Sequence, residues 1–487
     1  METKYSSIIV RISDCATKSL LCTLSGLILQ LGNKTLVVTL VALPNNVLIG
    51  DKKIDVYIAL ESKDPVCWIR CDSPKFVDVD EKSIAHLTMG GFKVDTVTGE
   101  DIERCRFVVA EVRGLAFEGN YSRISDRVEV GDECLLEASP FSSTSHVFHG
   151  YTSTATICYK KGGVYLSDLK YLENMEGGVV TVDGSIIGVV MGVLRKLDGQ
   201  GNLMIVLSLS HGELAEFGLC SAQLPTMAPL NEFPFVVGIS GKLDGTRYWG
   251  SGVIVKDNMI ATNRHVVFSG NQLAQDLALH YRGNTIELGK LVAGVDVLVP
   301  FDGQLCDLCF IKKNLAFDSV AKLPNELTIS NAASSLEILL DLKDNSRRLM
   351  RTKSVAYGLF CDSLHLHPLI SRGCINSVVE LKHLFRNIQQ EIQCLTVSSS
   401  SCWSGSSGGA LLNKKNELLG LMSSNGRTAS GETLTKLTLV IPIQLVVLGY
   451  YDLFRSKVSL TDSAASKYQR LLRLDSSYSE IFMESKL

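Results

Sequence analysis

The chain has 487 residues, enough for two large or three smaller compact units, and 46% of them are hydrophobic against 20% charged, an ordinary globular balance. Lys+Arg number 48 and Asp+Glu 51, a net charge of −3, which argues against a dedicated nucleic-acid binder with its basic domain or stripe. The 14 cysteines are scattered; Cys306 and Cys309 have CxxC spacing, but no second pair or His pair completes a zinc site, so no metal or other cofactor is expected.

The chain opens METKYSSIIVRISD, without a basic n-region and apolar h-region, so no secretory signal is expected and the thiols are read as reduced. In the first half, strand-sized apolar runs alternate with Gly, Asn, Asp and Ser clusters. They include SGLILQLGNKTLVVTLVAL (25–43), ERCRFVVA (103–110) and MEGGVVTVDGSIIGVVM (175–191). Such runs predict a mainly β fold of barrels or sandwiches. Residues 220–234 hold Pro225, Pro229 and Pro234 and read as a linker, because proline removes backbone donors and fixes φ.

The second half repeats the order of signals: SGVIVKDNMIATNRHVV (251–267), CDLCFIKK (306–313) and SSGGALLNKKNELLGLM (406–422). Three similarities in one order predict an internal duplication. The best helix-period stretches are 378–393 and the tail, where Thr461 or Asp462 is a candidate N-cap. The apolar stretch 437–451 contains Pro442 and Gln444 and falls short of the ~20 residues of a spanning helix, so no membrane span is expected. The expected division is 1–219 (a non-catalytic β domain), the 220–234 linker, 235–455 (the second β domain) and a 456–487 tail. The tail ends Ser485, Lys486, Leu487, which reads as a peroxisomal address taken up by an import receptor.

The second half holds a possible catalytic constellation. His265 follows a strand-like run, Asp307 opens a strand, and GSSGG places a serine between glycines. Serine at its free pKa is a poor nucleophile; it needs an imidazole to take its proton, a carboxylate to orient that imidazole, and backbone N–H donors for the oxyanion. His265, Asp307 and Ser407 supply the three side chains in the order His, Asp, Ser. Asp296 and Asp302 are competitors for the carboxylate, but neither precedes the L-x-F-I-K run. Cys402 lies outside the slot before Gly408–Gly409 and is read as a pocket wall or buried thiol.

TNRHVV, DLCFIK and GSSGGALLN resemble the three signatures of trypsin-like serine proteases, nearest to the HtrA/Deg branch, over about residues 235–445. The resemblance implies a chymotrypsin/trypsin-like double β-barrel in the C-terminal half; with the internal repeat, the N-terminal half is expected to be a degenerate copy of it, the alternative being an unrelated β domain with similar turns. It implies Ser407 as nucleophile, His265 as general base, Asp307 as its orienting partner and the amides of Gly405 and Ser407 as the oxyanion hole. The substrate pocket is expected from Ser401, Cys402, Met422 and Ser423. Ser401, at the pocket base, is uncharged, so a small or moderately apolar residue before the scissile bond is expected. Ser406 stands where zymogen-activated members carry an aspartate, so activation by a newly freed N-terminus is not expected. In the first half, the repeat places Ala42 near the His265 position, Arg104 near Asp307 and Glu176 on Ser407, leaving no triad.

Together with the SKL tail, the chain resembles the peroxisomal leader peptide-processing proteases. That implies a matrix enzyme that removes targeting leaders from imported enzymes, including those of fatty-acid β-oxidation, cuts after cysteine and cleaves itself. The implied partners are leader-bearing enzymes and the import receptor, with no nucleic acid; homo-oligomerisation stays open. A general Deg-type quality-control protease and a non-cutting scaffold are the alternatives.

Overall fold

In the computed structural model the chain forms two compact units, 1–229 and 230–487. The structure describes residues 2–42, 54–60, 67–79, 87, 92–95, 105–141, 148–196, 202–209, 212–217, 219, 233–243, 245–256, 259–303, 305–313, 315, 317–324, 348–358, 368–382, 384–386, 388, 391–427, 433–454 and 460–461. Residues 220–232 of the expected linker, Arg104, and the tail beyond Thr461 with Ser485, Lys486 and Leu487 lie outside them.

Both units are built from antiparallel strands whose β-branched and aliphatic residues face inward. The N-terminal unit begins with a sheet in the order Ile69–Arg70, Ile54–Ala59, Thr3–Asp14, Leu20–Leu31, Lys34–Ala42, Cys105–Glu111, Asp72–Asp78. Ile8, Leu24, Val56 and Val108 form its core, each contributing about 1.5–3 kcal/mol by leaving water. A barrel follows, in the order Glu133–Ala138, Tyr151–Lys161, Val164–Ser167, Leu203–Ser208, Ser185–Lys196, Val179–Val182, with Phe92–Asp95 alongside Ser185–Lys196. Pairing of Val179–Val182 with both Glu133–Ala138 and Ser185–Lys196 closes it. The hairpin between those last two strands turns on Asp183 and Gly184, both at positive φ (47° and 73°), the requirement of a tight primed turn.

The C-terminal unit repeats the plan. Its first sheet runs Asn284–Glu287, Gln275–Tyr281, Val236–Leu243, Thr246–Lys256, Met259–Thr262, Cys309–Lys312, Val297–Leu298. Its closed barrel runs Arg351–Ala356, Leu369–Leu381, Ile392–Ser398, Thr433–Pro442, Leu418–Arg427, Ala410–Asn413. Apart from Phe92–Asp95 and Asn120–Ser122 in the N-terminal unit and the ribbon of Phe268–Ser269 with Gln272–Leu273 in the C-terminal one, the strand orders of the two units are the same. The fold is therefore mainly β, with the double-barrel plan present in each half, as the sequence signals predict.

One helix expectation fails. Residues 378–381 finish the strand Leu369–Leu381, with Val378 paired to Thr396 and Val379 to Leu395. Two adjacent β-branched valines and a ladder partner outweigh the weak helical period. A real helix, Ile443–Phe454, instead follows the last barrel strand. Among the described residues, no helix is long and apolar enough to cross a membrane.

Candidate active site

The strand Met259–Thr262 ends in a single helical turn, Arg264–Val267, which carries His265. Asp307 lies two residues before Cys309–Lys312, the strand paired with Met259–Thr262. Strand pairing thus brings together two residues 42 positions apart. His265 Nδ1 is hydrogen-bonded to Asp307 Oδ2, and the His265 amide donates to Asp307 Oδ1 at 2.9 Å. The Asp307 backbone is fixed in turn: its carbonyl accepts from Asn263 Nδ2 (2.9 Å) and from the Arg264 amide (3.2 Å). A carboxylate on Nδ1 leaves Nε2 as the nitrogen able to take a proton.

The opposing wall is the loop 403–409, entering Ala410–Asn413. Trp403 donates its amide to Ser406 Oγ (3.1 Å), and the Ser406 and Gly409 amides close two short turns, onto the carbonyls of Trp403 and Ser406, both at 2.9 Å. Gly405 and Gly408 adopt φ of +88° and +85°, the region that suits glycine. At Gly408 space is decisive as well. A Cβ there would lie 2.1 Å from the Ser251 carbonyl oxygen and 2.3 Å from Thr262 Oγ1. Thr262 Oγ1 donates to the Ser251 carbonyl (2.6 Å), Ser251 Oγ to the carbonyl of Gly405 (3.0 Å), and the Ser251 amide to the Ser407 carbonyl (2.8 Å). Ser251 therefore ties the 403–409 loop to the first sheet through two hydrogen bonds, and Gly408 lets the loop approach Ser251 and Thr262 closely. The amides of Gly405 and Ser407 donate to no group among the described residues, as an oxyanion hole requires.

Ser407 Oγ donates to the carbonyl of Ser423 (3.0 Å), and Ser423 Oγ donates to Asp307 Oδ2 (3.5 Å). Ser423, expected as a pocket residue, thus stands between nucleophile and carboxylate. Ser407 and His265 share no hydrogen bond among the described residues, and a bond between a candidate nucleophile and base often forms only in the substrate complex. Ser401, Cys402 and Met422 are buried, at 1%, 2% and 0% exposure, and the latter two pack in the barrel core with Leu411 and Val440. Burial pushes the Cys402 thiol up to about 12, so it is no competing nucleophile near neutrality. Asp302 lies in the turn 301–303, and Asp296 Oδ2 caps the Val292 amide, so neither competes for His265. Sequence reasoning did not single out Asn425, whose Nδ2 holds the Cys402 carbonyl at 2.7 Å, nor Ser371, whose Oγ accepts from the Ser401 amide at 2.9 Å. Both hold the main chain at Ser401 and Cys402, a role no motif announces. No group of side chains suited to a metal ion occurs among the described residues.

The N-terminal unit holds the same loop without the chemistry. Asn174 and Gly177 have φ of +67° and +79°. Thr39 Oγ1 donates to the Ser25 carbonyl (2.7 Å), Ser25 Oγ to the Asn174 carbonyl (2.9 Å), and the Gly178 amide to the Met175 carbonyl (2.9 Å). The Gly177 amide donates to Val190 O (2.8 Å), as Gly408 does to Met422 O (2.7 Å). These bonds put Glu176 at the Ser407 position and Ala42 at the His265 position. Thr39 pairs with Val108 as Thr262 pairs with Cys309, so Arg106, two residues beyond the expected Arg104, occupies the Asp307 position. Arg106 pairs with Asp78, and buried Glu176 accepts from Tyr171 Oη at 2.5 Å. Burial, then the nearby carboxylate, push the Tyr171 phenol well up.

The profile of the trypsin-like peptidase domain matches residues 250–421. Among solved structures, the chain is similar to an HtrA-type protease, AlgW, with a tripeptide (16% identity, 46% of this chain and 62% of that one, TM-score 0.32). It is also similar to the serine endoprotease from Yersinia pestis (20%, 48% and 68%, 0.30) and to Rv3671c from M. tuberculosis H37Rv in an inactive form (13%, 47% and 97%, 0.31). The chain thus spans about 62% of the length of the first of these. A comparison with curated proteins finds no match.

Proposed function

We propose that this protein is a serine endopeptidase working through the C-terminal unit. The carrying observation is the His265–Asp307 pair, set in the same unit as a serine whose loop presents two undonated amides. Ser407 attacks the scissile carbonyl as His265 Nε2 takes its proton, and Asp307 stabilises the imidazolium. The amides of Gly405 and Ser407 receive the oxyanion. The imidazolium returns the proton to the leaving amine, and water releases the acyl-enzyme by the reverse sequence. No step calls for a metal or organic cofactor.

The proposed substrates are leader-bearing enzymes of the peroxisomal matrix, including those of fatty-acid β-oxidation. Support comes from the Ser485-Lys486-Leu487 address, which an import receptor would read, and from an uncharged Ser401, which gives no reason to select Arg or Lys. Cleavage after cysteine and self-cleavage belong to the same reading. The test is incubation of the purified protein with a folded leader-bearing peroxisomal enzyme and with unfolded casein, followed by N-terminal sequencing of products. One defined cut in the leader, lost in Ser407→Ala, is the expected result. Casein degradation with the leader intact would favour a quality-control protease, and no cleavage of either would favour a non-cutting scaffold.

A further inference from the structure

The triad is divided between two sub-barrels: His265 and Asp307 belong to the first sheet of the C-terminal unit and Ser407 to the closed barrel. Something must hold these bodies in register, because a misplacement of about 1 Å costs on the order of 10² in rate. The helix Ile443–Phe454 is placed to do so. It continues directly from the barrel strand Thr433–Pro442. Near its start, buried Gln444 accepts the amide of Gln393, in the barrel strand Ile392–Ser398, at 2.8 Å. Near its end, buried Asp452 accepts the amide of Phe301 on Oδ2, also at 2.8 Å.

Phe301 opens the turn that leads to Asp307. Phe301 and Asp302 both have left-handed backbone, φ +55° and +52°, a conformation that persists in non-glycine residues only when the surroundings hold it. Besides Asp452, one contact touches Phe301 itself and two fix the residues around it. The Phe301 ring lies against Phe385 (centroids 5.4 Å), and Tyr450 of the helix meets Phe310 of the strand after Asp307 edge-on (6.3 Å). At Gly449 the helix comes so close that a Cβ would lie 2.9 Å from Leu308 Cδ2 and 3.0 Å from Pro300 Cγ. Leu308 is the residue next to the catalytic carboxylate. In the N-terminal unit, which has no triad to align, the equivalent strand Leu203–Ser208 is followed by a short 3₁₀ turn, Gly212–Phe217.

We infer that Asp452 is a positioning residue: through the Phe301 amide, the C-terminal helix sets Asp307, and with it His265, against the nucleophile on the other sub-barrel. The inference rests on the serine-protease reading. To Phe301, Asp452 supplies an acceptor, which asparagine keeps and alanine removes.

The experiment measures labelling of Ser407 by a fluorophosphonate over a range of probe concentrations, separating the inactivation rate from probe binding. It compares the full-length wild type, Asp452→Asn and Asp452→Ala. One-dimensional proton NMR of each reads the far-downfield imidazole N–H of the His265–Asp307 bond. The expected result for Asp452→Ala is an inactivation rate lowered 10- to 100-fold, roughly the penalty of a small misalignment, with probe binding unchanged and the downfield proton shifted or lost. Asp452→Asn should recover both. A wild-type rate and resonance in Asp452→Ala would overturn the inference. So would an alanine variant that loses probe binding and its unfolding transition together, with no recovery in Asp452→Asn, because the role would then be stability alone. Failure of the wild type itself to label would remove the protease reading on which the inference stands.

Discussion

Loops 172–178 and 403–409 have nearly the same backbone and opposite chemical content. Each has two positive-φ residues three apart, Asn174 and Gly177 in one and Gly405 and Gly408 in the other. Each is tied to its own first sheet by a serine hydroxyl, and a threonine hydroxyl of the neighbouring strand donates to that serine's carbonyl. Yet one carries Ser407 opposite a His–Asp pair, and the other carries Glu176 where Ala42 offers no base and Arg106 no carboxylate. The shape of this loop is thus maintained by the fold, through hydrogen bonds that involve neither Ser407 Oγ nor His265. The proposed chemistry is a separate layer of three side chains, present on one frame and absent from the other.

The largest effect expected from that comparison is at the shared loop position. Ser407→Ala should lower kcat by about 10⁶, the scale at which a nucleophile is lost from a serine protease, while Glu176→Ala leaves the cleavage rate unchanged. A rate loss in Glu176→Ala would mean the N-terminal copy takes part in catalysis. Next in size are Gly408→Ala and Gly177→Ala. Each adds a Cβ within 2.3 Å of the neighbouring serine carbonyl and threonine hydroxyl. Each should cost its own unit about 3 kcal/mol or more through strain and overlap, read by hydrogen exchange in the two units separately. Only Gly408→Ala should abolish activity.

Smaller still are Thr262→Val and Thr39→Val, which remove the same buried bond from the two frames. About 1 kcal/mol each is expected, by chemical denaturation. If only Thr262→Val were destabilising, the frames would not be equivalent. The smallest effect concerns pH and the N-terminal unit alone. The Asp55 carboxyl is held below its ordinary value by its bond to Lys18 first and Arg70 second, at 2.7 and 2.6 Å. Its contribution is complete above the unfolded-state pKa of about 3.9 and lost as pH falls through the folded value. Asp55→Asn should therefore flatten the acid dependence of this unit's melting below about pH 4, with the C-terminal unit unchanged.

Much of this was legible in the sequence because it is written locally. Gly-x-Ser-Gly-Gly fixes a backbone shape through two glycines, ATNRHVV runs from a strand end into the turn that carries His265, and CDLCFIKK enters a strand just after Asp307. The duplication was legible for the same reason. The register of the Asp307 position was not: counting along ERCRFVVA gives Arg104, whereas pairing of Thr39 with Val108 gives Arg106, and pairing is a property of two strands. The 378–393 period misled because Val378 and Val379 satisfy a ladder that a one-dimensional pattern does not contain. Asp452 was passed over because a lone carboxylate in an apolar stretch carries no motif. Its meaning comes from Phe301, 151 positions away.

The central claim is that one copy of this loop is chemically complete and the other emptied. Its most direct test is labelling of the folded wild-type protein with a fluorophosphonate, then peptide mass spectrometry of the whole chain, with Ser407→Ala as control. The account predicts a single adduct, on Ser407, absent from the control and accompanied by none in residues 1–219. An unlabelled Ser407 in the folded protein, or an adduct that survives in Ser407→Ala, would contradict it.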